Sequence, residues 1–488
     1  MKRYIIAIIA ILITPVYTNS QTLSSESLLK DFNVLKAVLL EYHPGLYRFQ
    51  DSLAVAKNFN NLEQQLKHDL TLAEAYIAFS KFTASIRCGH TFCSFYNQTS
   101  QTKDSLFNKS DKVPITFFIV EKRIFIDKNV SENETLLPGT EVIEIGQVPV
   151  FSIIDSLIQY VKGDGNNNRK RLDDLNLSGL GKYEAFDIFH PLLYPPVNDS
   201  YKLKIRQPGK LITEEVNVKT ISRSTRFQLM ENKYGKQPAT FDDLWRFKLL
   251  DQETGYLKIG TFVTNKLSIN LKKFIQDAFD ELTEKNIQHL VIDIRGNEGG
   301  DDEVNLVLGN RLAKKQLELP EFSELLRYEQ VSETLRPYLN TWDNRFFNRK
   351  GQLISLQNGF YTWKKERKSR FIKQNSKAFT GNTYLLVDAA NSSATFFLTA
   401  CMQQNKLATI IGTETGGNRK GTNGGQLFFL RLPHSTIEVD IPLIGYYPLT
   451  VQPDCGIQPD IEVQPSISDM LSGKDKVLEK TLELIRNK

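Results

Sequence analysis

From Gly255 onward the sequence alternates short apolar runs with amphipathic stretches, and this alternation constrains the fold more than any other feature. Residues 256–262 read as a strand and 269–284 as an amphipathic helix. Residues 289–294 read as a buried strand and 302–314 as a helix. Another buried strand covers 383–388, followed by a helix over 393–404 and a third such strand over 407–412. Strands separated by helices imply crossover units, with functional loops at the carboxyl ends of the strands. Residues 320–380 interrupt the pattern. They are aromatic and basic (Trp342, Phe346, Phe347, Tyr361, Trp363, Lys364, Lys365, Arg367) and read as an inserted lid or subdomain, or else as a solvated surface excursion.

The preceding chain has a different character. In residues 24–85, Leu28, Leu29, Phe32, Leu35, Val38 and Leu39 recur at helical spacing until His43-Pro44-Gly45 ends the run. A second helix is expected over 52–67. A third opens at Thr71, with Glu74 three residues on, a capping-box pattern. Residues 113–220 hold short strands: two β-rich runs within 115–127, a helix over 150–160, and a hairpin around Pro208-Gly209. The run Leu137-Pro138-Gly139-Thr140-Glu141-Val142-Ile143-Glu144-Ile145-Gly146 resembles the equivalent stretch of PDZ domains, which are peptide-binding modules.

At the N-terminus, Lys2 and Arg3 precede an apolar run over 4–13 and then Thr18-Asn19-Ser20-Gln21. That is the layout of a secretory signal cleaved after Ser20. The run is shorter than the roughly 20 apolar residues that span a bilayer, and no later stretch approaches that length. The mature chain is therefore expected outside the cytoplasm, periplasmic or extracellular, without stable membrane insertion. At roughly 150 residues per domain, 488 residues suggest three domains. The net charge of +5 is spread out, with no basic run carrying interleaved aromatics, so nucleic acid is not an expected partner. The four cysteines (Cys88, Cys93, Cys401, Cys455) form neither a disulfide framework nor a zinc spacing. A Cys88–Cys93 bridge and a pair of buried free thiols both fit the sequence.

Two strand-to-helix turns carry the chemistry. The first is Asp293-Ile294-Arg295-Gly296-Asn297-Glu298-Gly299-Gly300. Three glycines after a buried strand allow conformations closed to other residues and let a ligand approach the main chain. N–H groups at the start of the next helix can then hold a developing negative charge. The glycine patterns of dinucleotide and phosphate loops are absent. The second turn is Asp388-Ala389-Ala390-Asn391-Ser392-Ser393-Ala394-Thr395-Phe396. A serine between a buried strand and a helix is presented to solvent, as a nucleophilic hydroxyl requires. The same serine can equally be an N-cap.

Together with Ile411-Gly412-Thr413-Glu414-Thr415-Gly416-Gly417 and Gly456-Ile457-Gln458-Pro459-Asp460-Ile461-Glu462-Val463, these motifs resemble, in order, those of the tail-specific (C-terminal-processing) and tricorn-like serine peptidase family. The resemblance implies Ser393 as nucleophile. It implies an oxyanion hole from the Ala394 N–H with that of Gly299 or Gly300, and Asp293 and Arg295 as braces of the loop. The residue three after the serine is usually Glu in the family and is Phe396 here. Part of the family uses a lysine base in Gly-Lys-Gly. Direct alignment puts Asn418 there, and Lys420 fits only with two residues inserted. The tricorn-like branch uses a histidine from an Asp-Gly-His-Thr turn, occupied here by Cys88-Gly89-His90-Thr91. His90 is the expected base, because an imidazole loses its proton near neutrality and an ammonium must first be desolvated. Lys420 is the alternative, and Asp454 a candidate to polarise His90. The other histidines (His43, His68, His190, His289, His434) read as structural or loop residues.

The resulting plan is a multidomain α/β chain. It comprises a signal peptide (1–20), an N-terminal helical domain (21–112), a PDZ-like domain (113–220), a crotonase-like α/β catalytic core (250–468, insertion 320–380 as the lid) and a C-terminal helix (469–488). The implied function is an exported serine endopeptidase working through an acyl-enzyme, with no cofactor or metal, on a peptide or protein substrate whose C-terminus the PDZ-like module captures by strand addition. The reading from another class is an inactive peptide-binding scaffold with the same fold. Phe396 and the missing Gly-Lys-Gly favour the scaffold; the Ser393/His90 pair argues against it. The signal layout predicts that N-terminal sequencing of exported protein starts near Gln21; recovery of Met1 would refute it.

Overall fold

The computed structural model describes residues 22–238, 240–365 and 371–487. The expected signal peptide and Arg367 lie outside the described residues. Three helices open the fold: α1 (Ser25–Tyr42), α2 (Ser52–Gln65) and α3 (Leu72–Ser85). Ser24 and Asp51 cap the first two through side-chain oxygens, and Thr71 with Glu74 forms the expected capping box on the third. The next segment is an antiparallel sheet of β1 (Ile115–Val120), β2 (Arg123–Asn129), β3 (Glu141–Ile145), β4 (Ser200–Arg206) and β5 (Glu214–Lys219), in that spatial order. Helices α4 (Val150–Leu157) and α5 (Ala185–Leu193) join β3 to β4, and α6 (Arg223–Tyr234) follows the sheet.

The second half is a six-stranded sheet built as the alternation requires. Its antiparallel edge strand β6 (Trp245–Leu249) is followed by β7 (Thr254–Ile259), α7 (Leu271–Glu284), β8 (His289–Asp293) and α8 (Glu303–Leu312). After the insertion, whose strands include β9 (Phe322–Leu325) and β10 (Leu339–Asn340), come β11 (Asn382–Val387), α9 (Ala394–Gln404) and β12 (Thr409–Gly412). The chain then forms the long hairpin β13 (Asn423–Arg431) and β14 (Glu438–Pro448), the short β15 (Ile461–Glu462), and α10 (Lys476–Arg486). The order β15-β12-β11-β8-β7-β6 is parallel from β15 to β7. Helices α7, α8 and α9 bury Ile275, Leu308 and Leu398 against one face. Val477 of α10 packs on Val291, Tyr384 and Leu386 of the other. Asp293 is in register with Leu386, so the loops leaving β8 and β11 emerge side by side.

Residues 320–380 are not a lid. Strands β9 and β10 flank the β13–β14 hairpin in a four-stranded antiparallel sheet, and Leu326, Tyr328, Phe346 and Leu353 are buried. Phe346 is buried and Phe347 packs at the edge of the core, stacking on Phe428 at 5.1 Å, with Tyr328 and Phe428 both meeting Tyr42 of α1, while Trp342 stays 60% exposed. The same cluster takes in Phe189 of α5 against Tyr76 of α3. The helical segment, the 113–220 segment and the insertion thus share one apolar core. Cys88 and Cys93 are buried free thiols, not a bridge. Among the described residues, no helix is long and apolar enough to cross a membrane.

One buried ion pair ties α5 to α6 beneath β1. The Arg226 guanidinium donates to both carboxylate oxygens of Asp187 and to the Val113 carbonyl, and both side chains are nearly inaccessible, at 0% and 1%. Removing one partner strands a buried charge. Asp187→Ala is expected to cost about 3–5 kcal/mol in denaturant unfolding, a loss that a surface ion pair would not produce.

Candidate active site

Two asparagines fasten the loops that leave β8 and β11. The Asn391 amide donates to the carbonyls of Ile294 (2.6 Å) and Asn297 (3.0 Å), and its side-chain oxygen accepts from the Asp388 N–H. Its own carbonyl receives the N–H groups of Gly416 and Gly417. Asn297 donates to the Ile259 carbonyl at the end of β7, and its side-chain oxygen takes the Gly299 N–H at 2.9 Å. Asp388 bonds the N–H groups of Gly296 and Ala390. Three strand ends are thereby held in one arrangement. Sequence reasoning singled out neither asparagine, since Asn in a Gly-rich turn reads simply as turn chemistry.

Ser393 is where this arrangement stores strain. Its φ of 54° and ψ of −124° are sparsely populated for a non-glycine residue. It begins α9, yet its side chain makes no capping bond, and its hydroxyl is half-buried without a hydrogen-bond partner among the described residues. Gly299 leaves room for it. With φ at +103°, a Cβ there would lie 2.7 Å from the Ser392 carbonyl oxygen and 2.9 Å from Ser393 Cβ. Gly300, with φ at +139°, packs against the Phe262 backbone. The Gly299 N–H is already committed to Asn297, whereas those of Gly300 and Ala394 have no acceptor among the described residues. These two are the donors available near the serine.

Asp293 and Arg295 are locked together and do not face the serine. Arg295 grips Asp293 and Asp475 at once, and Lys258 and Tyr256 complete the Asp293 shell. Burial opposes the charge on Asp293, but the hydrogen bonds and charge of Arg295, then Lys258, outweigh it and hold the carboxyl at about 2. Asp475 caps α10, so the same ion pair anchors that helix beneath the loop.

His90 lies across the segment 416–424. At one end of that segment Gly417 packs on Phe396 of α9; at the other, a Cβ at Gly424 would sit 3.5 Å from the His90 ring. Asp164 holds the histidine turn, accepting from the Gly89 N–H at 2.8 Å and the Thr422 hydroxyl at 3.2 Å. Nδ1 of His90 is buried without a partner among the described residues. Burial lowers the imidazole pKa, the charge of Asp164 acts against that, and Lys162 adds to it. Lys162 also lines a cavity of about 220 Å³ beside Gly296, Glu298 and Ala390, so this space lies between the histidine turn and the two loops. Asp454 is engaged elsewhere: its carboxylate accepts from Asn166 and Asn418. Lys420 lines a different cavity, with Arg48 and Tyr447. Two other histidines are occupied or boxed in. His43 bonds Thr91 and the Gly45 N–H, and His190 stacks on Phe186 at 4.7 Å; burial takes each down to about 3. Asn391→Ala would leave the Ile294 and Asn297 carbonyls without that donor. Expected are about 2–3 kcal/mol of lost stability and a fall of at least tenfold in covalent labelling of Ser393 by a fluorophosphonate at a temperature where the variant is folded.

The model of "Peptidase family S41" matches residues 253–463. No curated protein matches the sequence. Among solved structures, mature CPAF complexed with lactacystin superposes with a TM-score of 0.65 at 15% identity, covering 95% of this chain and 99% of that one. Mature CPAF alone gives 0.64 at 15% identity, covering 94% and 97%. The photosystem II D1 C-terminal processing protease gives 0.39 at 15% identity, covering 93% and 99%. The CPAF likeness extends the common fold to the helical segment, the 113–220 sheet and the insertion. The matched span holds both fastened loops and the strained serine, and over residues 253–463 the chain matches peptidase family S41, a family of serine peptidases.

Proposed function

We propose that this chain is an exported serine endopeptidase in which Ser393 is the nucleophile and His90 the base. The observation that carries the reading is the Ser393 turn itself. A serine that merely capped α9 would bond an N–H of the first turn; this one adopts a strained conformation and leaves its hydroxyl free. In the reaction, Ser393 Oγ attacks the scissile carbonyl carbon while its proton passes to the His90 imidazole. The oxyanion is received by the Ala394 and Gly300 N–H groups. Collapse expels the amine, which takes the proton from His90. Water then attacks the acyl-serine ester, giving its proton to His90, and the acid leaves as Oγ is reprotonated. Each main-chain donor is worth roughly 10²–10³ in turnover. In this reading the sheet at 113–220 is PDZ-like and takes a substrate C-terminus as an added strand on an exposed edge, and the second half is the crotonase-like catalytic core.

The inactive-scaffold reading draws on Phe396, which is buried against Gly417 where the family carries Glu. A fluorophosphonate separates the two: native protein that takes no label at Ser393 is a scaffold. His90→Ala is expected to lower turnover by roughly 10²–10⁴-fold, while Lys420→Ala stays within a few-fold of wild type. A dead Lys420→Ala with an active His90→Ala would make Lys420 the base. Only neutral imidazole can accept the proton, and burial shifts its pKa below 6.5. Activity should therefore be lost as pH falls through a midpoint below 6.5, and a midpoint above 7.5 would exclude His90.

A further inference from the structure

The second cavity, of about 570 Å³, runs along the end of α1 and the outer end of β14. Its cations are Arg48, Arg327 and Lys420, and no Asp or Glu lines it. None of the three has a carboxylate within ion-pair distance among the described residues. Arg48 is spent on the structure: it stacks on Tyr447 at 3.8 Å and donates to the carbonyls of Lys420 and Tyr446. Arg327 lies over Phe360 at 4.9 Å and touches only the Asn358 carbonyl, at 3.4 Å. The Lys420 ammonium has no partner among the described residues. Beyond them the wall turns apolar, with Leu449 60% and Val451 101% exposed.

Partly buried cations without counter-ions are costly unless an anion completes them. A strip of exposed aliphatic side chains beside them suits apolar residues on the same ligand better than a sugar–phosphate backbone. The groove is also tied to the catalytic region. Lys420 lies between Gly417, packed on the nucleophile helix, and Gly424, packed on His90. At about 3.5 Å per residue, that separation is no more than about 15 Å.

We propose that this groove is an exosite for an acidic, apolar-flanked segment of the polypeptide substrate, its carboxylate held by Arg327 and Lys420 and its aliphatic neighbours by Leu449 and Val451. The proposal rests on the peptidase reading for its occupant and gives Lys420 a binding role in place of proton transfer. The test uses the full chain carrying Ser393→Ala and fluorescent octapeptides with a central Glu between leucines, or Gln in its place, read by anisotropy at low salt. The Glu peptide should bind at least tenfold tighter. Arg327→Gln should reduce that preference, and Arg327→Gln with Lys420→Gln should abolish it, while Lys273→Gln on α7 changes nothing. Equal affinity for the two peptides, or a preference that survives the double variant, would overturn the exosite. So would binding of anionic phosphatidylglycerol vesicles through these residues with no binding of the Glu peptide. Fluorophosphonate labelling of the wild type is scored separately. A Glu preference without labelling supports the groove and defeats the catalytic reading; labelling without the preference defeats the groove alone.

Discussion

Everything distinctive about the site depends on the Asn391 amide. It sits between strands β8 and β11, donating to two carbonyls of one loop while its own oxygen accepts within the other. Buried amides satisfied on every side are costly to displace, because each lost bond leaves a desolvated partner. The Gly416 and Gly417 N–H groups meet the Asn391 carbonyl, so the segment that passes His90 is fixed from the same residue. One side chain with its peptide group therefore coordinates the Ser393 turn, the glycine loop and the segment that leads to His90.

That rigidity is what permits a serine at φ 54°. A sparsely populated backbone conformation costs on the order of 1–3 kcal/mol and persists only where its surroundings over-determine it. Thr395 and Ser392 add bonds to the Asn297 and Glu298 carbonyls on either side of Ser393, and Asn305 of α8 holds the Ala394 carbonyl. The strain is thus maintained by neighbours on both strands. In that conformation Oγ does not cap the first turn of α9. The Ala394 N–H at the start of α9 has no acceptor among the described residues, and the helix dipole makes that end electropositive.

Much of this was legible in the sequence, for identifiable reasons. A parallel sheet covered on both faces leaves continuous apolar runs, so β8, β11 and β12 stand out, and their loops follow at the carboxyl ends. The α3 capping box is local and was readable as such. What could not be read was long-range pairing. Strands β9 and β10 are short, irregular and aromatic, and their burial depends on a hairpin about 100 residues later, so the insertion read as a lid or subdomain, or as a surface excursion, without its place in the core. The long β13–β14 hairpin went unnoticed beside the glycine motifs. Asp454 and Lys420 lie close in sequence to the motifs, but distances across the fold decide their partners. Asp454 bonds Asn166 and Asn418, and Lys420 turns toward the groove with Arg48.

The shared core explains how His90, from the first hundred residues, is fixed relative to a catalytic-type turn about 300 residues later. His90 follows α3 directly, and α3 is packed through Tyr76 on Phe189, inside the cluster that also holds Tyr42, Tyr328 and Phe428. The β14 strand then pairs with Phe92 through Asp440, two residues beyond the histidine. The position of His90 relative to Ser393 is therefore set by packing between the helical segment and the hairpin, not by the six-stranded sheet. Because packed interiors respond to volume changes of even one methylene, a cavity opened at Tyr42 or Phe428 would shift His90 while leaving the Asn391 network intact. The Ser393 turn and the His90 turn are held by separate structural means, and the segment from Gly416 to Gly424 runs from one to the other.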